Sequence, residues 1–296
     1  MKRLVRCKTA MTVAGSIAVA VICAIIAVGA TQNNANRPDH GSFTDCQPCH
    51  AEKYKMWETS RHSRALDRIT ASPQAGADCF SCHSMEGFSA KQSGGKIDPA
   101  NKASFHTVSC LTCHKPGSDT HAKQLVADRE KLCESCHTQR AVLNGKGAKG
   151  IEDTRSFHSG VACASCHMSE SNHYMKVMRP DDASIPEDRL DTCTRCHKDN
   201  NRKARAKQLP DWQEFYKEAM DPIEADMEEI NTALKQKPDL LNAELKEKLS
   251  SIRTNLAIVQ RDGSKGAHNL DFALEIAAQA KSGLKEIKTA IAAGAK

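Results

Sequence analysis

Six cysteine pairs dominate the chemistry of this 296-residue sequence. Twelve of the 14 cysteines have C-x-x-C spacing, and a histidine follows each pair directly. The six groups are Cys46-Cys49-His50, Cys79-Cys82-His83, Cys110-Cys113-His114, Cys133-Cys136-His137, Cys163-Cys166-His167 and Cys193-Cys196-His197. Two thiols three positions apart can bond to the two vinyl groups on one edge of a porphyrin, and the adjacent imidazole then ligates the iron. The pattern therefore predicts six covalently attached haems c.

Other uses of paired cysteines explain the pattern less well. A zinc ribbon needs two pairs for each metal and no histidine after each pair, whereas a redox C-x-x-C site would occur once. A disulfide framework suits an exported, cysteine-rich chain, but it leaves the six histidines without a reason. The histidine after every pair thus favours haem.

Six irons with one motif histidine each still need six further axial ligands. Of 13 histidines, seven lie outside the motifs. The predicted distal ligands among them are His62, His106, His121, His158, His173 and His268, whereas His40 lies in the linker that precedes the first motif. Methionines could ligate instead, namely Met85, Met168, Met175 and Met178, although methionine more often serves as packing. Because the histidines suffice, we predict bis-histidine coordination, which gives lower potentials than Met/His ligation.

The elements that must hold these groups follow from the motif spacing. The six motifs follow one another at short and similar intervals from Cys46 to His197, and aromatic residues make up only 4% of the chain. A core with so few aromatic side chains must be filled largely by porphyrin. We therefore predict an all-α, haem-packed hexahaem domain over residues 45–200, with short helices at the motifs, Gly-, Ser- and Lys-rich loops and little regular sheet.

The chain changes character after the sixth motif. Apolar residues recur at helical spacing from Trp212 to Leu234 and again from Leu245 to Val259. Pro222 should break or kink the first helix, and Asp262-Gly263 should end the second. A third helix is expected over residues 267–290. Together they predict a C-terminal long-helix hairpin over residues 208–296, which supplies His268 as a distal ligand and offers apolar stripes for homo-oligomerisation.

Residues 1–30 form a separate unit. Four cations, Lys2, Arg3, Arg6 and Lys8, precede a run of small or apolar residues from Thr9 to Ala30. The run is long enough for a membrane-spanning helix, and a cleaved export signal is the alternative. We predict an inner-membrane anchor, a linker over residues 31–44 and a periplasmic haem domain. The formal net charge of +6 falls to +2 without those four cations, which argues against a nucleic-acid partner.

The order of motifs and histidines resembles a known superfamily. The similarity rests on the series Cys133 to His137, His158 to Met168, Asn172-His173, Thr192 to His197 and Gly266 to Asn269. This series resembles the C-terminal part of cytochrome c nitrite reductase and of its octahaem relatives, the hydroxylamine oxidoreductases and tetrathionate reductases. The earlier part, with Trp57 to His62 and Cys110 to His121, is similar to multihaem electron carriers of nitrifiers and outer-membrane conduits. The resemblance covers most of residues 44–290.

The usual catalytic residues of that superfamily are missing. His83 stands where the catalytic haem of the nitrite reductases is usually attached with lysine, and Thr138-Gln139-Arg140 follow the motif after which the family has its active-site tyrosine. The stretch from His137 to His158 is too short for the family's insertion with active-site His and Gln. No tyrosine follows Tyr216 to match the cross-linking tyrosine of hydroxylamine oxidoreductases. We therefore predict no catalytic residue.

These features predict an electron carrier rather than an enzyme. It would pass electrons from a membrane quinol-oxidising or dehydrogenase donor to a periplasmic or outer-membrane acceptor, in anaerobic-type respiration. The first alternative is a reductase of nitrite, hydroxylamine or a sulfur oxyanion, with an open iron position at the haem of His83. The second is a structural haem subunit of a larger respiratory complex.

Overall fold

Short helices carry or follow the cysteine pairs in the first part of the structure. The computed structural model describes residues 43–185, 190–198 and 201–294. In this region the α-helices are α1 Ala51–Glu58, α2 Asp67–Thr70, α3 Ala77–His83, α4 Met85–Ser93, α5 Cys110–Cys113, α6 Arg129–Leu132, α7 Gln139–Leu143 and α8 Cys163–His167. Turns of 3-10 helix lie at Phe43–Cys46, His62–Arg64, Pro99–Ser104, Ala122–Gln124, Cys133–Ser135 and Ser169–Ser171. The prediction of short helices around the motifs is confirmed.

Regular sheet is almost absent from the part of the chain that the structure describes. The β structure found there is an isolated antiparallel bridge between His114 and Leu125. This result confirms the predicted all-α fold class with little regular sheet. From Cys46 onward the chain forms one compact unit.

Side-chain hydrogen bonds join the short helices. The sequence in this region has no apolar periodicity that would predict these contacts. The Trp57 indole on α1 donates to the carbonyl of Val108 at 2.9 Å, just ahead of the third motif. Ser84 ends α3 and begins α4, because its hydroxyl accepts from Gly87 N at 3.0 Å and donates to Phe80 O at 2.9 Å. Phe80, fully buried, packs edge-on against Phe105 with 5.2 Å between ring centres. Phe80, inside the second motif, is thus held in place by its contact with Phe105.

Three long helices form the C-terminal part: α9 Arg202–Gln236, α10 Ala243–Asp262 and α11 Leu270–Ala292. Their apolar faces build the main hydrophobic core, in which Ile276, Leu284 and Ile287 are fully buried. Asn242 and Asn269 accept from backbone N–H groups at the starts of α10 and α11, and Gly263 in the left-handed conformation ends α10. The predicted second and third helices are confirmed within a few residues.

The break or kink predicted at Pro222 does not interrupt the first long helix. Helix α9 begins at Arg202, ahead of Pro210, and runs through both Pro210 and Pro222. Proline inside a helix removes one backbone hydrogen bond and costs about 3 kcal/mol. Met220 and Ile223, on either side of Pro222, are buried in the core. Burial of this amphipathic face offsets the lost hydrogen bond, so the prediction of a break was wrong.

The loop between the fourth and fifth motifs is fastened to this helical core. Asn255 on α10 accepts from Lys149 N at 2.8 Å and donates to Lys149 O at 2.9 Å. Asn269 donates to Val142 O at 3.0 Å and to Thr154 O at 2.5 Å. Both asparagines are buried. The C-terminal helices therefore position the segment that leads to His158.

The predicted anchor over residues 1–30 lies outside the described residues. Among the residues that are described, no helix combines the length and the apolar character that a membrane crossing requires.

Candidate haem-binding site

Four motif histidines each face a histidine from outside the motifs. The ring centres of His137 and His62 are 5.9 Å apart, and those of His114 and His173 are 6.3 Å apart. The other two pairs are His197 with His158 at 6.2 Å and His167 with His268 at 6.1 Å. The structure thus brings together four motif histidines and four of the six predicted distal ligands.

The separation of the paired rings fits an iron atom between them. Two imidazoles that ligate one metal from opposite sides, each through a nitrogen about 2 Å from it, have ring centres about 6 Å apart. Aromatic rings can also pair at this distance without a metal. Chance aromatic contacts would not, however, select one motif and one other histidine in each of four pairs. The described residues therefore fit haem with two axial histidines at the third to sixth motifs.

Backbone carbonyls orient several of the motif and distal imidazoles. Nδ1 of His83 contacts Ala65 O at 2.9 Å, and Nδ1 of His114 contacts Lys123 O at 3.0 Å. The distal His173 does the same with Ser171 O at 2.9 Å. A carbonyl can only accept, so Nδ1 carries the proton and Nε2 is left to ligate a metal.

The environment of five of the paired histidines favours the neutral imidazole that iron ligation requires. Burial, with His137 and His83 nearby, lowers the pKa of His62 to about 4. Burial also lowers the pKa of His137, and it lowers that of His158, which faces His197. The same cause lowers the pKa values of His167 and His173. These rings are therefore uncharged at neutral pH.

The first two motifs have a different environment. Among the described residues, neither His50 nor His83 forms a ring pair with a second histidine. Of the two remaining predicted ligands, His106 is exposed and its Nδ1 lies 2.5 Å from a carboxylate oxygen of Glu86. His121 is half-buried before the 3-10 helix Ala122–Gln124. Their roles as distal ligands stay predictions, and His40 lies outside the described residues.

The cysteines show which motifs are neighbours. Hydrogen-bonding distance separates Cys46 from Cys110, Cys82 from Cys136 and Cys133 from Cys163. Electrostatic proximity joins Cys113 to Cys136 and Cys166 to Cys193. The spatial order is therefore first, third, fourth, fifth and sixth motif, with the second motif beside the fourth. Within the described residues, none of these cysteines is in a disulfide.

Two residues that the sequence did not single out hold the fourth motif against its neighbours. Lys91 on α4 donates to Ser135 O at 2.6 Å and approaches Cys82 Sγ at 3.9 Å, so it links the second and fourth motifs. Arg140 on α7 donates to the carbonyls of Ser159 and Val161 at 2.8 and 3.2 Å, just before the fifth motif. A lysine and an arginine of this kind give no sequence signal, because their partners lie far away along the chain.

A buried aspartate organises the sixth motif. Asp191 has no exposed surface, and its Oδ1 accepts from the N–H groups of Cys193 and Thr194 at 2.8 and 2.9 Å. Its Oδ2 accepts from the Thr194 hydroxyl at 2.5 Å and lies 3.8 Å from the Arg202 guanidinium. An aspartate just before a turn or helix commonly accepts hydrogen bonds from the backbone N–H groups that follow it. The position of Asp191 before Cys193 therefore indicates this role from the sequence alone.

Three families of cytochromes match parts of the chain. Residues 26–125 match outer membrane cytochrome MtrC/MtrF-like, domains II/IV, and residues 152–294 match cytochrome c552. Residues 116–168 match cytochrome c554 and c-prime. Cytochrome c-554 of Nitrosomonas europaea is 24% identical over 140 residues, which are 42% of this chain and 55% of that protein. The match to that relative therefore spans about half of its length.

Two solved structures share the fold. The outer cell wall cytochrome OcwA superposes with a TM-score of 0.61 at 24% identity, over 78% of this chain and 50% of the other. The undecaheme cytochrome from the S-layer of Carboxydothermus ferrireducens gives a TM-score of 0.54 at 23% identity, over 76% and 40% respectively. At these identities the superpositions bear on the fold alone.

The motifs, the paired histidines and these matches define the class of protein. The chain is a multihaem c-type cytochrome with covalently bound haem c. Within this class it is similar to the MtrC/MtrF-like, c552 and c554 cytochromes. The narrower resemblance to nitrite reductases and hydroxylamine oxidoreductases stays a prediction.

Proposed function

We propose that this chain is a hexahaem electron carrier, tethered to the inner membrane by residues 1–30, with its haem domain in the periplasm. Haem c supplies one-electron transfer, and the protein supplies attachment, axial ligation and the environment of each iron. Each of the six C-x-x-C-H motifs would hold one haem through two thioether bonds and one histidine.

The observation that carries this proposal is the set of four histidine pairs. A second histidine at the iron closes the position that a substrate would otherwise take. In the proposal, His173, His62, His268 and His158 supply these ligands at the third, fourth, fifth and sixth motifs. An iron closed on both faces exchanges electrons without binding a substrate, which favours a carrier.

The order of neighbouring motifs supports a conducting role. Motifs whose cysteines lie near one another hold their cofactors close together, and the fourth motif neighbours three others. The first, second and sixth motifs would then be the three ends of a branched path. We propose that a quinol-oxidising or dehydrogenase donor in the membrane uses one end and that a periplasmic or outer-membrane acceptor uses another.

The experiment that tests this function is EPR spectroscopy of the oxidised, haem-loaded protein, together with its intact mass. The mass should correspond to six attached haems. The four paired sites should give low-spin signals that do not change when nitrite or hydroxylamine is added. High-spin signals from more than two haems would contradict the closed-site carrier.

A second candidate function, a multihaem reductase, is favoured by one observation. His83 has no second histidine ring facing it among the described residues, although the second motif touches the fourth. An open iron at this branch could take nitrite, hydroxylamine or a sulfur oxyanion. A single high-spin signal that shifts on addition of nitrite or hydroxylamine, and changes in the spectrum of a His83→Ala variant, would favour the reductase instead.

A further inference from the structure

His268 lies in a tight loop between two long helices. Helix α10 ends at Asp262, and Gly263 adopts the left-handed conformation that turns the chain away. His268 follows in this short loop, and α11 begins soon after it at Leu270. The rigid core thus fixes both ends of the loop. The ring of His268 faces His167 of the fifth motif at 6.1 Å.

The other side of the His268 ring meets a carboxylate. Nδ1 of His268 lies 2.6 Å from Oδ1 of Asp262. When Nε2 is the ligating atom, Nδ1 carries the proton and donates it to this oxygen. The side chain of Asp262 is only 3% exposed, so solvent screens the interaction little.

Asp262 is itself held in place by Ser264. Its Oδ2 accepts from Ser264 N at 3.2 Å and from the Ser264 hydroxyl, while that hydroxyl accepts from His268 N at 3.1 Å. The result is a closed set of hydrogen bonds in which carboxylate, serine and histidine fix one another. The position of His268 is therefore built into the helix end.

We propose that Asp262 is a positioning residue that, through His268, lowers the reduction potential of the haem attached at Cys163 and Cys166. The inference rests on the proposed bis-histidine ligation. A ligating histidine that donates to a carboxylate becomes a more basic ligand, and a more basic ligand stabilises ferric over ferrous iron.

The other histidines that the structure describes lack such a buried carboxylate, so the lowering of the reduction potential is specific to the fifth motif. His173, the distal histidine facing His114, donates to the neutral carbonyl of Ser171. His106 does meet a carboxylate, but the side chains of His106 and Glu86 are 52% and 32% exposed, so water screens that pair. Within the described residues, His268 is the paired distal histidine with a buried carboxylate at Nδ1. The haem of the fifth motif should therefore have a lower potential than that of the third.

The test is a redox titration of the haem-loaded full chain, followed by EPR, in Asp262→Asn. The asparagine oxygen can still accept from His268 but without the charge. We expect the iron to stay low-spin and its potential to rise. Asp271→Asn is the matched control, because it removes one exposed negative charge from the start of α11 without touching His268. We expect no comparable rise in the control. A His268→Ala variant, whose fifth-motif haem becomes high-spin, identifies the signal to follow.

A second variant tests the proposal in case Asp262→Asn fails to retain the haem. Ser264→Ala removes the hydroxyl that holds the Asp262 carboxylate and the His268 backbone together, so the hydrogen bond from His268 to Asp262 should weaken and the potential should rise. An unchanged or lowered potential in Ser264→Ala, or an equal shift in Asp262→Asn and Asp271→Asn, would overturn the role of Asp262. If the wild-type fifth-motif iron is already high-spin, the ligation itself fails, and with it the carrier proposal.

Discussion

The Arg140 guanidinium lies 3.8 Å from Cys163 Sγ and joins the fourth haem-attachment motif to the fifth. The same side chain donates to two carbonyls that precede Cys163, those of Ser159 and Val161. Its Nε donates to Glu134 at 2.7 Å, inside the fourth motif. Glu134 raises the pKa of Arg140, so the guanidinium stays charged. Arg140 thus fixes the spacing between two neighbouring attachment sites.

Replacing Arg140 by Ala should therefore destabilise the contact between the fourth and fifth motifs. Two carbonyls lose a charged donor, and each unsatisfied buried group costs about 1–3 kcal/mol, less where water replaces the donor. We expect the free energy of unfolding to fall by about 2 kcal/mol, measured by denaturant titration of the haem-loaded protein.

The control for Arg140 is Glu134→Gln. This change removes only the partly exposed ion pair, whose two side chains are 20% and 34% exposed. Such pairs contribute about 0–1 kcal/mol, so the variant should stay close to wild type. An equal loss in both variants would mean that the ion pair, rather than the carbonyl contacts, holds the two motifs together.

Removal of a paired distal histidine should open one iron and no other. In His62→Ala the iron bound by His137 loses its second ligand, and in His173→Ala the iron bound by His114 does. Each variant should convert one low-spin haem to high-spin, counted by EPR of the oxidised protein. His40→Ala is the comparison variant, since the seventh non-motif histidine is not among the predicted ligands. High-spin conversion in His40→Ala, and none in His62→Ala, would reassign the ligands.

The sequence predicts the haem-attachment sites well, but it does not predict the packing around them. A C-x-x-C-H motif is a local chemical unit, so six attachment sites were visible in the residues alone. The candidate distal histidines could be counted in the same way. The sequence does not predict which histidine faces which motif. Two whole motifs lie between His62 and the motif of its partner His137, and two long helices lie between His167 and His268. Only the folded chain brings such residues together.

Outside the motifs, too, the features that the sequence does not predict depend on contacts between residues far apart in the chain. The sequence predicts a break or kink at Pro222, but burial of Met220 and Ile223 keeps α9 continuous. The sequence predicts a helix end at Asp262, but the contact of Asp262 with His268 depends on the loop geometry between α10 and α11. Local rules predict where helices begin and end. They do not predict which polar side chains the long-range packing will bury.

The buried Asp191 should be essential for a stable sixth motif. Asp191→Ala leaves the N–H groups of Cys193 and Thr194 and the Thr194 hydroxyl without their acceptor. Loss of a capping side chain costs about 0.5–2 kcal/mol, and unsatisfied buried donors add to it, so we expect a loss of about 2–3 kcal/mol. Thermal unfolding of the haem-loaded protein measures the effect. Asp181→Ala, which removes a partly exposed partner of Arg179, should change stability little, and a similar loss there would contradict the assignment.

Gly145 should tolerate no larger residue, because another backbone segment lies directly against it. Its φ is +62°, and a Cβ atom would lie 2.1 Å from the carbonyl oxygen of Thr154. That carbonyl also accepts from Asn269, so it cannot move without disturbing the start of α11. Gly94 provides the matched control, since its φ is +70° and nothing lies within 4 Å of an added Cβ.

Gly94→Ala should cost about 1 kcal/mol through backbone strain alone, and Gly145→Ala should cost clearly more. The two free energies of unfolding from denaturant titrations give the difference that belongs to the close approach. Because residues 145–154 lead to His158, Gly145→Ala should also weaken ligation opposite His197 and produce a high-spin signal that Gly94→Ala does not. Equal stability losses with unchanged EPR spectra would show that the loop yields without moving the ligand, and the coupling between the helical core and the sixth motif would then be refuted.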